Sequence, residues 1–197
     1  SGSVWNGEWL WPKGSGKEGA PIKIDKYGGD VLPVINGMGV DRGFNYSGAV
    51  HLRNQEYWEI RNLEITNDDN FDEDIVLQRP QGDNSYPNKD KTRNGILLIV
   101  DGDQLEDNAD GIMDHIYIEN CYIHDVDGPN DWNDTFTGGI IFNVIGSKIR
   151  PNTSLRDLRI ANNTIRKVDL LGITGYVDMV RGNYRGGIGA NNLWMRD

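Results

Sequence analysis

Between positions 124 and 134 the chain reads His-Asp-Val-Asp-Gly-Pro-Asn-Asp-Trp-Asn-Asp, which gathers Asp125, Asp127, Asp131 and Asp134 around His124. Hydrolysis of a glycosidic bond needs two carboxylates. One protonates the leaving oxygen while the other attacks or activates water, at about 5–5.5 Å separation for retention and about 6.5–9.5 Å for inversion. Four aspartates so close in sequence can supply such a pair. A second chemistry runs through Arg166 and Lys167. In β-elimination a cation neutralises a uronate carboxylate, and a lysine or arginine takes the proton α to it. The competing reading is a plain ion pair along the surface, which contributes little.

What brings residues 124–125 to residues 166–167 is a phrase written three times: YWEIRNLEITN at 57–67, HIYIENCYIHD at 115–125 and DLRIANNTIRK at 157–167. Each copy reduces to apolar-x-Ile-x-Asn-x-x-Ile, with Asn62, Asn120 and Asn162 in register. Alternation of period two turns Trp58/Ile60, Ile116/Ile118 and Leu158/Ile160 inward on a short strand. After the Asn the parity shifts by one, to Leu63/Ile65, Cys121/Ile123 and Asn163/Ile165. Such a shift marks a sharp corner, and Asn tolerates the left-handed backbone that a corner needs. The three Asn are expected to stack, their amides bonding up and down the column.

A third strand belongs to each copy: Gly48–Leu52, Asn94–Leu98 and Gly138–Phe142. A unit of three strands that recurs and buries its face only against its neighbours is a solenoid. Pro21–Asp25 with Val34–Gly37 reads as a degenerate first coil. A β-sandwich would also suit short strands and many turns, but it does not explain the returning Asn. Coils stacked about 4.8 Å apart place Thr66, His124 and Arg166 in one column, and Asn67, Asp125 and Lys167 in the next.

Acidic residues also crowd at 68–74 and at Asp101, Asp103, Asp107 and Asp110. Carboxylates at close spacing suit a hard cation, so Asp101 with Asp103, and Asp125 with Asp127, are the candidate calcium ligands; the alternative is solvated loops. Calcium is the one cofactor suggested. The chain has 6 Trp and 8 Tyr. Trp58 is inward, and Trp5, Trp9 and Trp11 cap or cover the first coil. Trp132, Tyr86 and Tyr176 lie between strands and are the candidates for stacking on a sugar, against the alternative of pinning their own loops. His51 on an outward strand face and His115 just before a strand read as solvated or loop-bonded. The single Cys121 reads as a small core residue, and one cysteine makes no internal disulfide.

The net charge of −10 argues against nucleic acid as a partner, since phosphate binding needs a basic face. No stretch approaches the roughly 18 apolar residues of a membrane span. With 197 residues the chain is a single domain, 1–197.

The run GSGKEGAPIKIDKYGG, the phrase NQEYWEIRNLEITN and the later YIHDVDG resemble the right-handed parallel β-helix proteins of the pectate-lyase-like superfamily. More narrowly, they are similar to secreted bacterial β-helix proteins of polysaccharide breakdown. The resemblance spans about Val4 to Ile173. It implies an all-β fold, a right-handed parallel β-helix of about four coils, in a protein that is secreted or at the cell surface. It implies a carbohydrate partner, but the superfamily holds hydrolases, lyases, esterases and adhesins, so fold does not settle reaction. The favoured function is part of a glycoside hydrolase acting on a plant or microbial polysaccharide, pectin among them. Behind it stand a calcium-dependent lyase and a non-catalytic glycan-binding or adhesion module. Such helices usually have more coils and a cap, so the chain is expected to be a piece of a longer helix, or to be completed by a partner, and to be weakly active alone.

Overall fold

The computed structural model describes residues 1–39, 46–68, 92–105, 110–128, 137–147, 149–150, 152–168, 171–178, 185–186 and 194–195. The strands in chain order begin with β1 (Val4–Asn6), β2 (Ile22–Ile24), β3 (Val34–Asn36), β4 (Tyr46–Arg53) and β5 (Trp58–Arg61). Next come β6 (Glu64–Asn67), β7 (Thr92–Asp101), β8 (Ile112–Glu119), β9 (Tyr122–Val126) and β10 (Gly138–Ile145). The series closes with β11 (Ser154–Ala161), β12 (Thr164–Val168), β13 (Leu171–Asp178), β14 (Arg185–Gly186) and β15 (Trp194–Met195). One turn of 3-10 helix, Gly102–Gln104, follows β7.

Three sheets run alongside one another. The first has the order β1-β3-β6-β9-β12, the second β14-β13-β10-β7-β4, and the third β15-β11-β8-β5-β2. Among the described residues every pairing between these strands is parallel except β13 with β14. The chain visits the second, third and first sheets in turn, so each sheet gains one strand per circuit. This is the all-β, stacked parallel architecture that the repeat demands, and a sandwich is excluded.

Alternation decides what is buried. Val50, Ile96 and Ile140 share one column, and Ile60, Ile118 and Ile160 another; all six are at most 1 % exposed. Glycine leads the second-sheet strands because that position abuts the first sheet. A Cβ on Gly95 would stand 2.6 Å from Ile123 Cγ2, and one on Gly139 2.7 Å from Ile165 Cγ2. Cys121 is buried as expected, its Sγ facing the carbonyls of Glu119 and Ile60, and burial pushes the thiol up to about 11.

The corner asparagines take left-handed φ values of 52°, 56° and 56° at Asn62, Asn120 and Asn162. Backbone bonds continue through the corner, from Asn62 N–H to Glu119 O and from Asn120 N–H to Ala161 O. The side chains depart from expectation. Asn120 and Asn162 point to solvent, and Asn62 donates to Asp25 Oδ1 at 2.6 Å. The amide that spans two coils belongs to Asn163: its Oδ1 accepts from Cys121 N–H and its Nδ2 donates to Ile118 O, both at 2.9 Å. The inward position after the corner, not the corner itself, holds the bonded amide.

Leu10 bridges to Val50 and so adds a preceding rung to the second sheet. This lays Trp11 over His51, with ring centroids 4.7 Å apart and planes at 10°. His51 is outward as read, yet buried rather than solvated. Leu97, Ile99, Ile141 and Ile145, also outward on this sheet, form a second buried cluster.

Candidate active site on the first sheet

Val126 and Ile123 are both fully buried, and in a regular strand only one residue would face outward between two such inward positions. Here there are two, His124 and Asp125. Asp125 takes φ 46°, and on the next coil Lys167 takes φ 51°. A left-handed residue inserted in a strand is a bulge, which leaves its neighbours' alternation intact and adds one side chain to the outer face. On the preceding strand the insertion is missing: Ile65 pairs with Ile123, but Asn67 pairs with Val126. The expected column of Asn67, Asp125 and Lys167 is therefore corrected. Asn67 belongs to the inner wall, 1 % exposed, donating to Asn94 O and accepting from Gly39 N–H. Asp125 and Lys167 stand together without it.

The bulge builds a cluster. His124 Nδ1 lies 2.6 Å from Asp125 Oδ2, and its Nε2 lies 3.1 Å from Glu64 Oε1. Lys167 Nζ lies 3.4 Å from Asp125 Oδ1. Tyr122 stacks on the imidazole at 4.1 Å and 24°. The hydrogen bond from His124 holds the Asp125 carboxyl below its ordinary range; slight burial opposes this and the Lys167 charge adds to it. Asp125 is thereby kept ionised. Arg166 pairs with His124 in register and is exposed. Asp127 follows directly where the chain leaves β9, its N–H bonded to Asn67 O at 3.2 Å.

Of the residues read as catalytic, His124, Asp125 and Lys167 are thus in contact, Arg166 stands beside them, and Asp127 lies at the strand exit. Asp131, Asp134, Trp132 and Tyr86 lie outside the described residues. Tyr176, read as lying between strands, lies instead within β13 in register with Asn143, its side chain not among those described. Glu64 and Tyr122 were missed. The signal was present, because Glu64 shares the outward parity of Thr66 and pairs with Tyr122.

The calcium candidates fall in two places. Asp101 closes β7 on the second sheet. It is fully buried, its Oδ2 2.7 Å from Arg53 Nη2 and its Oδ1 capping Asp103 N–H at 3.1 Å. Asp125 and Asp127 belong to the first sheet. Among the described residues no group of three or more His, Cys, Asp or Glu is gathered as a metal site.

A second polar cluster covers the third sheet. His115 lies within β8 rather than before it, in a bulge at φ 52° aligned with Tyr57 and Asp157, which are left-handed too. Its Nε2 meets Glu59 at 3.1 Å and its Nδ1 meets Asp157 at 3.4 Å. Lys23 and Arg61 answer Glu59, while Arg61 and Arg159 answer Glu119. Burial pushes Glu59 up, but the bonds from His115 and Lys23 and the Arg61 charge outweigh it and leave it lowered. Alternating charges that satisfy one another along the stack read as a stabilising ladder. The first-sheet cluster differs because its strand runs straight into the acidic segment 127–134.

No family model matches the chain. A lacto-N-biosidase of Bifidobacterium longum subsp. longum is 26% identical over 94% of this chain, which covers 14% of that protein. The crystal structure of the GH136 lacto-N-biosidase from Eubacterium ramulus superposes with a TM-score of 0.69 at 25% identity, over 90% of this chain and 29% of that one. Its native-protein counterpart gives 0.68 at 26% identity. The chain thus spans less than a third of the length of the relatives it matches. Those relatives are glycoside hydrolases, the carbohydrate-active class that the resemblance implied, in a family that it did not name.

Proposed function

We propose that this chain is part of a glycoside hydrolase of the lacto-N-biosidase kind, wound as a right-handed β-helix of about four coils and acting on an oligosaccharide outside the cell. The observation that carries the reading is the fold and sequence likeness to GH136 lacto-N-biosidase over 90% of the chain. The acidic segment supplies the carboxylates. Asp125, held ionised by His124 and Lys167, is the nucleophile or base. One of Asp127, Asp131 and Asp134 is the acid that protonates the glycosidic oxygen. Arg166 contacts substrate hydroxyls, and Trp132, Tyr86 and Tyr176 offer ring faces to the sugar. Elimination through Lys167 or Arg166 is the poorer reading, because the relatives are hydrolases and Lys167 is turned toward Asp125.

The test is turnover of a nitrophenyl lacto-N-bioside by the whole hydrolase that contains this chain and by its Asp125→Asn, Asp127→Asn, Asp131→Asn and Asp134→Asn variants. Two of the four should lose about 10²–10⁴-fold. A dinitrophenyl substrate, whose leaving group needs no proton, should rescue the acid variant and not Asp125→Asn. Four variants as active as the parent, binding without turnover, or unsaturated products would overturn the reading.

A further inference from the structure

We propose that Glu64, one coil before the acidic segment, is a positioning residue that aims Asp125 through His124; its catalytic meaning rests on the hydrolytic reading above. Asp125 needs such an anchor because it sits on a bulge. Its backbone at φ 46° departs from the ladder, so the strand does not fix the direction of its carboxylate as it does for a regular residue. Lys167 is a loose constraint, 3.4 Å away with its side chain 67% exposed. The short contact is with His124, at 2.6 Å.

His124 must in turn be oriented. The final torsion of a histidine is broad and roughly two-fold, so the ring could present either edge to Asp125. Two contacts choose. Tyr122 lies flat against the ring at 4.1 Å, which sets its plane. Glu64 Oε1 takes Nε2 at 3.1 Å, which sets the edge and leaves Nδ1 toward Asp125. Glu64 is itself well placed to hold still: β6 is paired on both sides, with β3 and β9. The chain of contacts runs from a rigid strand, through a stacked ring, to a carboxylate on a strained bulge. Hydrogen-bonded partners behind metal-ligating histidines and carboxylates contribute about 10–100-fold, and the same scale is taken for a carboxylate aimed by a histidine.

The experiment combines a ring signal with kinetics. With ¹⁵N-labelled histidine, the His124 Nε2–H resonance should be slowly exchanging in the parent and in Glu64→Gln, which keeps the acceptor oxygen, and lost in Glu64→Ala. Glu64 is partly exposed on the outer face, so both variants should fold, checked by their melting curves. On the lacto-N-bioside substrate, with the substitutions placed in the whole hydrolase that contains this chain, Glu64→Ala should lower kcat about 10–100-fold with KM within about twofold, and Glu64→Gln should recover most of it. In an Asp125→Asn background Glu64→Ala should add almost nothing, because groups acting as a unit are not additive. An unchanged ring signal in Glu64→Ala, equal losses in Ala and Gln, or additive losses with Asp125→Asn would each overturn the positioning role. A parent and Asp125→Asn that turn over alike would overturn the hydrolytic reading instead, whatever the ring signal shows.

Discussion

His51 lies on the outer side of β4 with 1 % of its surface exposed, and neither ring nitrogen has a hydrogen-bond partner among the described residues. Trp11 covers one ring face, Lys13 sits above Trp11, and Arg53 lies two residues along the strand, paired with Asp101. Burial first, then the charges of Arg53 and Lys13, push the imidazole from 6.5 down to about 3. The unfolded chain therefore binds this proton more readily than the folded one. Stability from the neutral ring is fully present above 6.5 and is lost as pH falls from there toward about 3. At about 1.4 kcal/mol per pH unit the whole interval amounts to roughly 4–5 kcal/mol, of which about 3 kcal/mol is gone by about pH 4. His51→Phe keeps a ring against Trp11 and removes the titrating nitrogens. Urea unfolding of both proteins between about pH 7.5 and pH 4 isolates the effect, because acid loss from carboxylates is common to the two. The curves should agree within about 1 kcal/mol at the upper limit and diverge in favour of His51→Phe below 6.5. Parallel curves would refute the reasoning and show that the buried ring takes up its proton freely.

Ile118→Ala should cost about 2–5 kcal/mol in urea unfolding, since stacked coils above and below cannot close the cavity; a loss under half a kcal/mol would mean that the position faces solvent. Asn120 is exposed at φ 56°, so Asn120→Gly should be tolerated within about half a kcal/mol, whereas Asn120→Val should lose about 1–2 kcal/mol to the left-handed backbone. Asp101→Ala leaves Arg53 without its buried partner and should lower stability by about 3 kcal/mol or more. Added calcium should not restore it, and if Asp101 instead held a cation, EDTA would reproduce the loss in the parent.

Much of the architecture was legible because stacking imposes local rules. Inward isoleucines recur at period two, Asn stands where the chain turns through positive φ, and glycine leads the strand that abuts Ile123 and Ile165. These are constraints on single residues, and they repeat. The triple phrase therefore determined the parallel sheets and the core columns, and it brought His124, Asp125, Arg166 and Lys167 to one face. What it could not carry was the count of residues between inward positions on neighbouring coils. One extra residue in β9, absent from β6, moved Asn67 indoors and left Glu64 as the partner of His124. Nor does alternation report what lies on an outer face. His51 reads as solvated until the segment around Leu10 is laid over it, and the Asn corners read as a bonded ladder until Asn163 takes that role. Periodicity is a property of a strand by itself, while register, bulges and covering segments depend on which other strand arrives beside it, and only the folded chain decides that.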